Sequence, residues 1–562
     1  MSINMKEIEF SSASYDQWQE EAVKALKGKP FESLFTKTIE NITLQPLYTE
    51  QSVIEQLGEQ LEKQVATIRS LSAKDGFEVA QQIVGDTEEQ FIANLEDSLA
   101  RGNEVITIHS PLAFDLSNAF IEKIADYFAE YTFKLTVEKE DAAILAVFDA
   151  IDEAKRSSVE GYIIADVAIE LSEYSKVRNI SANTIKAHNE GADSVQELAV
   201  ALAQASKYAK QAPSFEAFAQ KFFVQFAIDT QFFPEVAKLR AFKVLWKAFT
   251  SAFTSETVAV PVVAETSVRS FSKLDVYVNL LRAGNEAFAA AIGGVDVLTV
   301  HPHDALAKPT EQSTRIARNV SLVIKEESHV QNVIDPSGGS YFVETLTAQY
   351  VEAAWALFLQ IEEAGGIDAY ADTLQASIAD VYAARVKAAQ TRKQSLIGTN
   401  IYANPTDALP TEENAQFADV KRLAIPFEQL RTQFASLSGD IGVLTFGELK
   451  NFKPRADFVA GFFATAGIVT ENSDAIQTIE EAQAWLQATS YKYVVIAATD
   501  EDTKALVPAL LDVKPANIVL DAAGRYKEEQ DAWQQAGLNG FIFAGQNIIE
   551  KLNAVASSVK ED

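Results

Sequence analysis

From Ile441 the chain reads IGVLTFGELKNFKPRADFVAGFFATAGIVT to Thr470: an apolar strand-like run to Phe446, a helical pattern, and a second strand-like run at Gly467 to Thr470. Runs of the same kind recur at Tyr493 to Ala498, Asn517 to Ala522 and Gly540 to Phe543, each followed by helical periodicity. Five such βα units in about 120 residues predict a flavodoxin-like, doubly wound parallel sheet over residues 440–562. Ligands of such a sheet bind beyond the carboxyl ends of its strands, so the loop after the first strand is where cofactor chemistry belongs. That loop, FGELKNFKPRADF from Phe446, has no histidine, no glycine-rich phosphate cradle and no paired carboxylates. Lys450, Lys453 and Arg455 make it basic; a solvated loop edge is the expected reading, an anion site the alternative.

Upstream, Tyr402 to Glu413 reads YANPTDALPTEE, rich in proline and short polar residues. It marks a linker over residues 403–439, with a helical segment around Phe427 to Leu437. Residues 41–402 alternate strand-like runs (Glu104 to His109, Phe133 to Val137, Tyr162 to Val167, Val295 to Val300) with helical patterns (Ser194 to Lys210, Pro234 to Thr250, Asp275 to Ile292, Ala348 to Glu363). Apolar residues recur in the latter at three- and four-residue spacing. The alternation predicts a parallel (β/α)8 TIM-type barrel, preceded by an amphipathic arm over residues 1–40.

The 562 residues, 48% apolar, suffice for more than one core. Seventy-nine acidic against 48 basic residues give a formal charge of -31. Such a surface repels phosphate backbones and anionic headgroups, so nucleic acid and membrane are not expected partners. It also disfavours capture of anionic CoA thioesters unless basic residues gather at one mouth, and no dense basic cluster is visible in the sequence. No cysteine occurs, which excludes disulfides, thiolate metal ligands and cysteine nucleophiles, and fits a cytoplasmic location. MSINMKEIEF carries no readable secretory signal. The most membrane-like run, Phe458 to Val469, is far shorter than the roughly 20 residues a spanning helix needs.

P-loop, GxSxG and HExxH signatures are absent. The histidines are His109, His188, His301, His303 and His329. His301 and His303 at a strand end could share a metal, but without a third ligand pattern a structural role is expected. Asp335 to Ser340, DPSGGS, reads as a turn, with backbone capture of an anion as the alternative.

Several long runs resemble the methylmalonyl-CoA mutase family, in its order and across almost the whole barrel. They are ENITLQPLYT from Glu40, GADSVQELAVALAQA from Gly191, FFPEVAKLRAFKVLW from Phe232, STRIARN from Ser313 and IDPSGGSYFVETLT from Ile334. ETSVRSFSKLDVYVNLLR from Glu265, EESHVQNVIDPSGGS from Glu326 and RADFVAGFFATAGI from Arg455 resemble the family's small subunit rather than its large one. Where the large subunit has a substrate-touching tyrosine-histidine pair, this sequence has Ile185 and Lys186.

The resemblance also implies a cobalamin-binding type of carboxyl-terminal domain, in which a DxHxxG loop supplies an imidazole to cobalt. A neutral nitrogen must donate to the metal, and a carboxylate orients it. Aligned on RADFVAGFFATAGI, Lys450 stands at the aspartate, Phe452 at the histidine and Arg455 at the glycine. Ala498 stands where a tail-contacting serine is expected, and Ala522 and Ala523 where two glycines admit the cofactor's tail. The resemblance therefore implies a degenerate cobalamin-binding domain, with no catalytic, cofactor or metal residue in this chain. It further implies a heterodimeric isomerase of propionate metabolism, with adenosylcobalamin in a homologous catalytic large subunit. The alternatives are a stand-alone CoA-ester isomerase or lyase without cobalamin, and an acyl-CoA-sensing regulatory binding protein.

Overall fold

A computed structural model describes residues 13–72, 76–137, 142–165, 169–435 and 441–560. Met1 to Phe10, and the last two positions of the expected Tyr162 to Val167 strand, lie outside the described residues. The first sheet is a ring of parallel strands: β1 (Glu78–Gln82), β2 (Val105–His109), β3 (Thr132–Val137), β4 (Gly161–Ala165), β5, β6 (Phe222–Ile228), β7 (Val262–Thr266) and β8 (Val297–Thr299). The fifth position is one strand in two pieces. Val177–Arg178 pairs with β4, and Ile180–Asn183 pairs with β6. Between them, Asn179 turns its amide onto the Ile169 carbonyl at 2.6 Å. With β8 paired to β1, eight positions complete the (β/α)8 barrel.

Four barrel strands carry little of the pattern that marks the others. β1 reads EVAQQ and the second piece of β5 reads ISAN, polar enough to pass for loop. β6, FFVQFAI, is buried at every position because it lies between the barrel axis and the helices. β7, VVAET, follows the proline of Val260–Pro261.

The helices cover the ring. Ser194–Gln211 starts from a capping box in which Asp193 accepts from Gln196 N at 2.9 Å while the Gln196 side chain returns to Asp193 N at 3.0 Å. Phe232–Thr250 and Tyr341–Glu363 pack with it around Phe226, Phe242, Leu245, Trp246 and Tyr350, the largest core. A second core, built on Phe91, Phe128, Phe133 and Phe148, closes the side of β1 to β4.

The second sheet comprises β9 (Ile441–Thr445), β10 (Glu471–Asn472), β11 (Tyr493–Ala497), β12 (Val519–Ala523) and β13 (Gly540–Ile542), all parallel, in the order β10-β9-β11-β12-β13. This is the flavodoxin-like order, with its switch point beside β9. β10 begins at Glu471 rather than in the expected GIVT run. The preceding helix, Leu449–Ala464, ends at Gly467 with φ +81°, and Ile468 N returns to the Phe463 carbonyl at 3.2 Å, so GIVT is spent on the turn.

Between the sheets, residues 404–434 form a strap. Arg431, in helix Ile425–Phe434, donates to the carbonyls of Asn404, Pro405 and Asp407 and to Thr465 O beside the second sheet. On the barrel side, Asn414 N donates to Leu306 O at 3.1 Å.

Candidate functional site

Strand alternation decides what fills the barrel. On β3, Phe133, Leu135 and Val137 pack outward into the second core, which turns Lys134 to the axis. There its Nζ donates to Thr299 Oγ1 at 2.7 Å and lies 3.8 Å from Glu265 Oε2. Ala80, Val105, Ile164, Phe223, Val263 and Val297 form the layer beneath. The axis is therefore a packed core rather than a channel. Burial pushes the Lys134 ammonium down. Glu265 also feels burial, but His301, Lys134 and His109 outweigh it and hold its carboxyl at about 2.

Beyond the ends of β5 to β7 lies a sealed charge network. His188 Nδ1 is 2.8 Å from Glu197 Oε1, and His188 Nε2 is 2.7 Å from Ser267 Oγ. These are the contacts of a serine-histidine-carboxylate relay. All three residues are buried, at 0%, 1% and 1% exposure, so the arrangement is sealed from solvent and ties the barrel to its helices. Lys238 takes the other Glu197 oxygen at 2.8 Å and Glu235 at 2.6 Å. Arg269 grips Asp229 and donates to the carbonyls of His188 and Ala192. Burial, aided by Arg269, depresses His188 to about 4 and keeps it neutral. Against burial, Lys238 and His188 hold Glu197 below its ordinary value; burial raises Glu235, which Lys238 only partly relieves. Ile185 and Lys186 start the short helix Ile185–Glu190 that delivers His188 to this network.

The two histidines of the HxH pair take separate partners. His301 lies 3.3 Å from Glu265 and edge-on to Phe417, while His303 stacks on Tyr277 at 5.1 Å. Among the described residues no group of three potential ligands forms. The DPSGGS turn is also self-contained: Arg240 takes both Asp335 oxygens at 2.8 and 3.0 Å, and Gly339 N donates to Glu344 at 2.9 Å.

In the second sheet, the expected loop after β9 shrinks to three residues, because the helix begins at Leu449. Lys450, Phe452 and Arg455 thus stand on a helix, not on a loop, and the backbone separates them. Lys450 points to solvent and pairs with Glu448 at 2.7 Å. Phe452 turns into the core with Val459, Phe463 and Ile548 and is 7% exposed. Arg455 reaches across the ends of β9 and β11. It donates to Ala498 O at 2.5 Å and Tyr526 Oη at 2.7 Å and pairs with Asp500. Arg455 and Ala498 are therefore brought together at the switch point. Ala522 and Ala523 are in β12 itself, and their side chains enter the cores on opposite faces of the sheet. The three cations expected near this loop each have a carboxylate of their own, Lys453 meeting Asp457 at 2.8 Å, which favours the solvated-edge reading over an anion site.

The family described as methylmalonyl-CoA mutase matches residues 158–432, from β4 through the strap. The Porphyromonas gingivalis protein named methylmalonyl-CoA mutase small subunit is 28% identical over 97% of this chain and 97% of its own length. The chain belongs to the methylmalonyl-CoA mutase family. The probable methylmalonyl-CoA mutase small subunit of Mycobacterium tuberculosis is 31% identical over 69% of this chain and 66% of its own. Methylmalonyl-CoA mutase of Escherichia coli K12 is 34% identical over 46% and 39%. The match to the Porphyromonas protein thus runs through both sheets, and the Escherichia match over less than half of the chain. The mutase-family stretch contains His188, Glu197, Asp229, Lys238 and Arg269.

One feature of this family member escaped the sequence. A cavity of about 1170 Å³ runs from the carboxyl ends of β1, β2 and β8 along the groove between helices Glu88–Ala100 and Glu311–Leu322. Its walls include Arg101, Arg315 and Arg318. These stand 214 or more positions apart across the two helices, so no run of basic residues betrays them.

Proposed function

We propose that this chain is the small, non-catalytic subunit of a heterodimeric methylmalonyl-CoA mutase, supporting a homologous large subunit that carries adenosylcobalamin and interconverts methylmalonyl-CoA and succinyl-CoA. The reading rests on one observation: the barrel axis and the switch point of the second sheet are filled by the chain's own side chains. Lys134, Thr299 and Glu265 bridge the barrel axis. Arg455 and Tyr526 bridge the switch point of the second sheet.

The residues present do not fit a corrin. No imidazole stands near the start of helix Leu449–Ala464, and Phe452, at the position the resemblance gives to the cobalt ligand, is inside the core. In the large subunit the cofactor would supply the radical rearrangement; the role of this chain is to present a stable surface. The small-subunit names of the relatives support a paired assembly. Among the described residues no helix is long and apolar enough to cross a membrane, which accords with a cytoplasmic assembly.

The test is co-expression with the candidate large subunit, followed by sizing and a mutase assay. A single species of both chains, with turnover that the large subunit alone lacks or loses faster, is expected. Separate elution of the two chains at micromolar concentration would defeat the reading, as would turnover by this chain alone.

A further inference from the structure

We propose that helix Val278–Gly293 and the neighbouring segment 394–406 form one docking face for the large subunit, which meets it with an apolar, uncharged helix packed closely over Gly284. The inference rests on the subunit reading and adds to it the surface through which the two chains pair.

Helical spacing builds the face. Tyr277, Leu281, Gly284 and Phe288 follow one another at three- and four-residue steps, so they share one side of the helix. Arg282 and Glu286 are buried on the other side. Those two are the only charged residues from 276 to 295, and none occurs from 394 to 406. In a chain with 23% charged residues, an outward helix face and an adjoining segment that both lack exposed charge depart from an ordinary solvated surface. Arg282 ties the two together, its Nη2 donating to the Ile397 carbonyl at 2.8 Å. Toward the other end of the helix the Phe288 ring lies 5.6 Å from that of Phe232, and Phe232 5.3 Å from Phe233, so the apolar surface continues past the helix.

The area is that of an interface. Tyr277 and Leu281 are each 71% exposed and Tyr402 is 79% exposed. Together with the exposed Phe233, Phe288 and Ile397 they present roughly 600 Å² of apolar side chain, taking about 150–250 Å² for a whole aromatic residue. That is at the upper end of about 300–600 Å² for the largest patch on a typical monomer, and most of the roughly 800 Å² that a stable interface buries per partner.

Gly284 adds an independent sign. A Cβ built on it would meet nothing within 4 Å, so the packing of this chain does not call for glycine there. Glycine weakens the middle of a helix relative to alanine, and what it offers in return is close approach of a second backbone. The lack of charge limits what can cover the face, since ions set against it would be left without partners away from water. A second copy of this chain would bring another net charge of -31 with it, which disfavours self-pairing.

Co-expression with the large subunit followed by sizing, and titration of the separated chains, test the assignment. The unaltered chains are expected to pair. Leu281→Glu should weaken pairing at least 100-fold and leave the melting temperature of the free chain unchanged, because that side chain already faces water. Gly284→Leu should weaken pairing at least tenfold while the free chain becomes no less stable. Val469→Glu, at an exposed apolar residue beside the second sheet, should pair as the unaltered chain does. Pairing that withstands both Leu281→Glu and Gly284→Leu would overturn the docking face and leave the subunit reading standing, whereas failure of the unaltered chains to pair would overturn both. A dimer of this chain alone that Leu281→Glu dissolves would put a second copy on the face and overturn the choice of partner.

Discussion

Lys238 in the barrel and Arg455 in the second sheet each hold a charge network together, but they do so in opposite dielectric surroundings. Lys238 has no exposed surface, and its partners Glu197 and Glu235 are nearly as deep. Arg455 keeps a quarter of its side chain in water, and Asp500 keeps most of its own. A buried ion must be matched, since removing one partner strands the other away from water. A half-exposed ion can be released, because water takes over its bonds. The comparison teaches that the barrel closure is part of folding, whereas the closure of the second sheet is a local plug.

The largest effect expected is from Lys238→Met, which leaves Glu197 and Glu235 without a counter-charge and should lower stability by about 3–5 kcal/mol. Urea unfolding measures it. A loss under about 1 kcal/mol would show that the two carboxyls simply take up protons, and the contrast with Arg455 would collapse.

Acid should expose the same difference. Asp193, raised to about 7 mainly by burial, holds its proton in the folded state at a pH where the unfolded chain has lost it; that contribution grows as pH falls from 7 toward 3.8. His188, held at about 4 against an ordinary 6.5, works the other way, since the unfolded chain binds its proton first and stability falls over that window. Glu265, held at about 2 against 4.5, adds a second loss as pH falls from 4.5. With Glu235, raised to about 7 by burial, adding to the gain from Asp193, melting temperature should hold or rise slightly from pH 7 to about 4.5, then drop steeply toward pH 2.5. A flat profile through pH 3 would mean that Glu265 and His188 are not the groups that tie the barrel to pH.

Phe452→His sharpens the comparison from the other side. It swaps a buried ring for a polar one in the core beneath the plug and should lower stability by about 3 kcal/mol. Corrin absorbance should stay absent after gel filtration, because Arg455 and Tyr526 still bridge the switch point. Near-stoichiometric corrin in this single mutant would break the proposal that the domain has lost its cofactor.

The smallest effect belongs to Arg455→Ala. Asp500 can turn to water, while Ala498 O and Tyr526 are buried and lose a partner, so the loss should be about 1–2 kcal/mol. A loss as large as that of Lys238→Met would show that the plug is structural after all.

How much of this was legible beforehand follows from the range of the interactions. The second sheet could be read because each of its strands is a short apolar run next to its own helix, as in Ile441–Thr445 and Tyr493–Ala497. The filled axis could not, since Lys134 stands more than a hundred residues before Glu265 and Thr299 and each looks like a surface residue by itself. β1 and β5 were obscure for a related reason: Gln81 and Gln82 find partners in Thr314, Arg318 and Gln416, and only those partners make a polar strand stable inside a barrel. The basic loop after β9 was misjudged in shape, as Glu448 starts a helix that runs on through the internal Pro454.

By itself, then, the sequence determined the α/β class, the two successive sheets, the family, and the absence of histidine from the stretch around Phe452. These are properties of local periodicity and of residue identity, and they need no neighbour to be read. Tertiary structure alone decided that the axis is packed, that His188, Glu197 and Ser267 form a sealed relay, that Ala522 and Ala523 face opposite ways, and that Arg101 meets Arg315 and Arg318. Each of these depends on which side of a strand or helix a residue faces and on what the fold brings against it, and that is set only when the ring closes at Asn179.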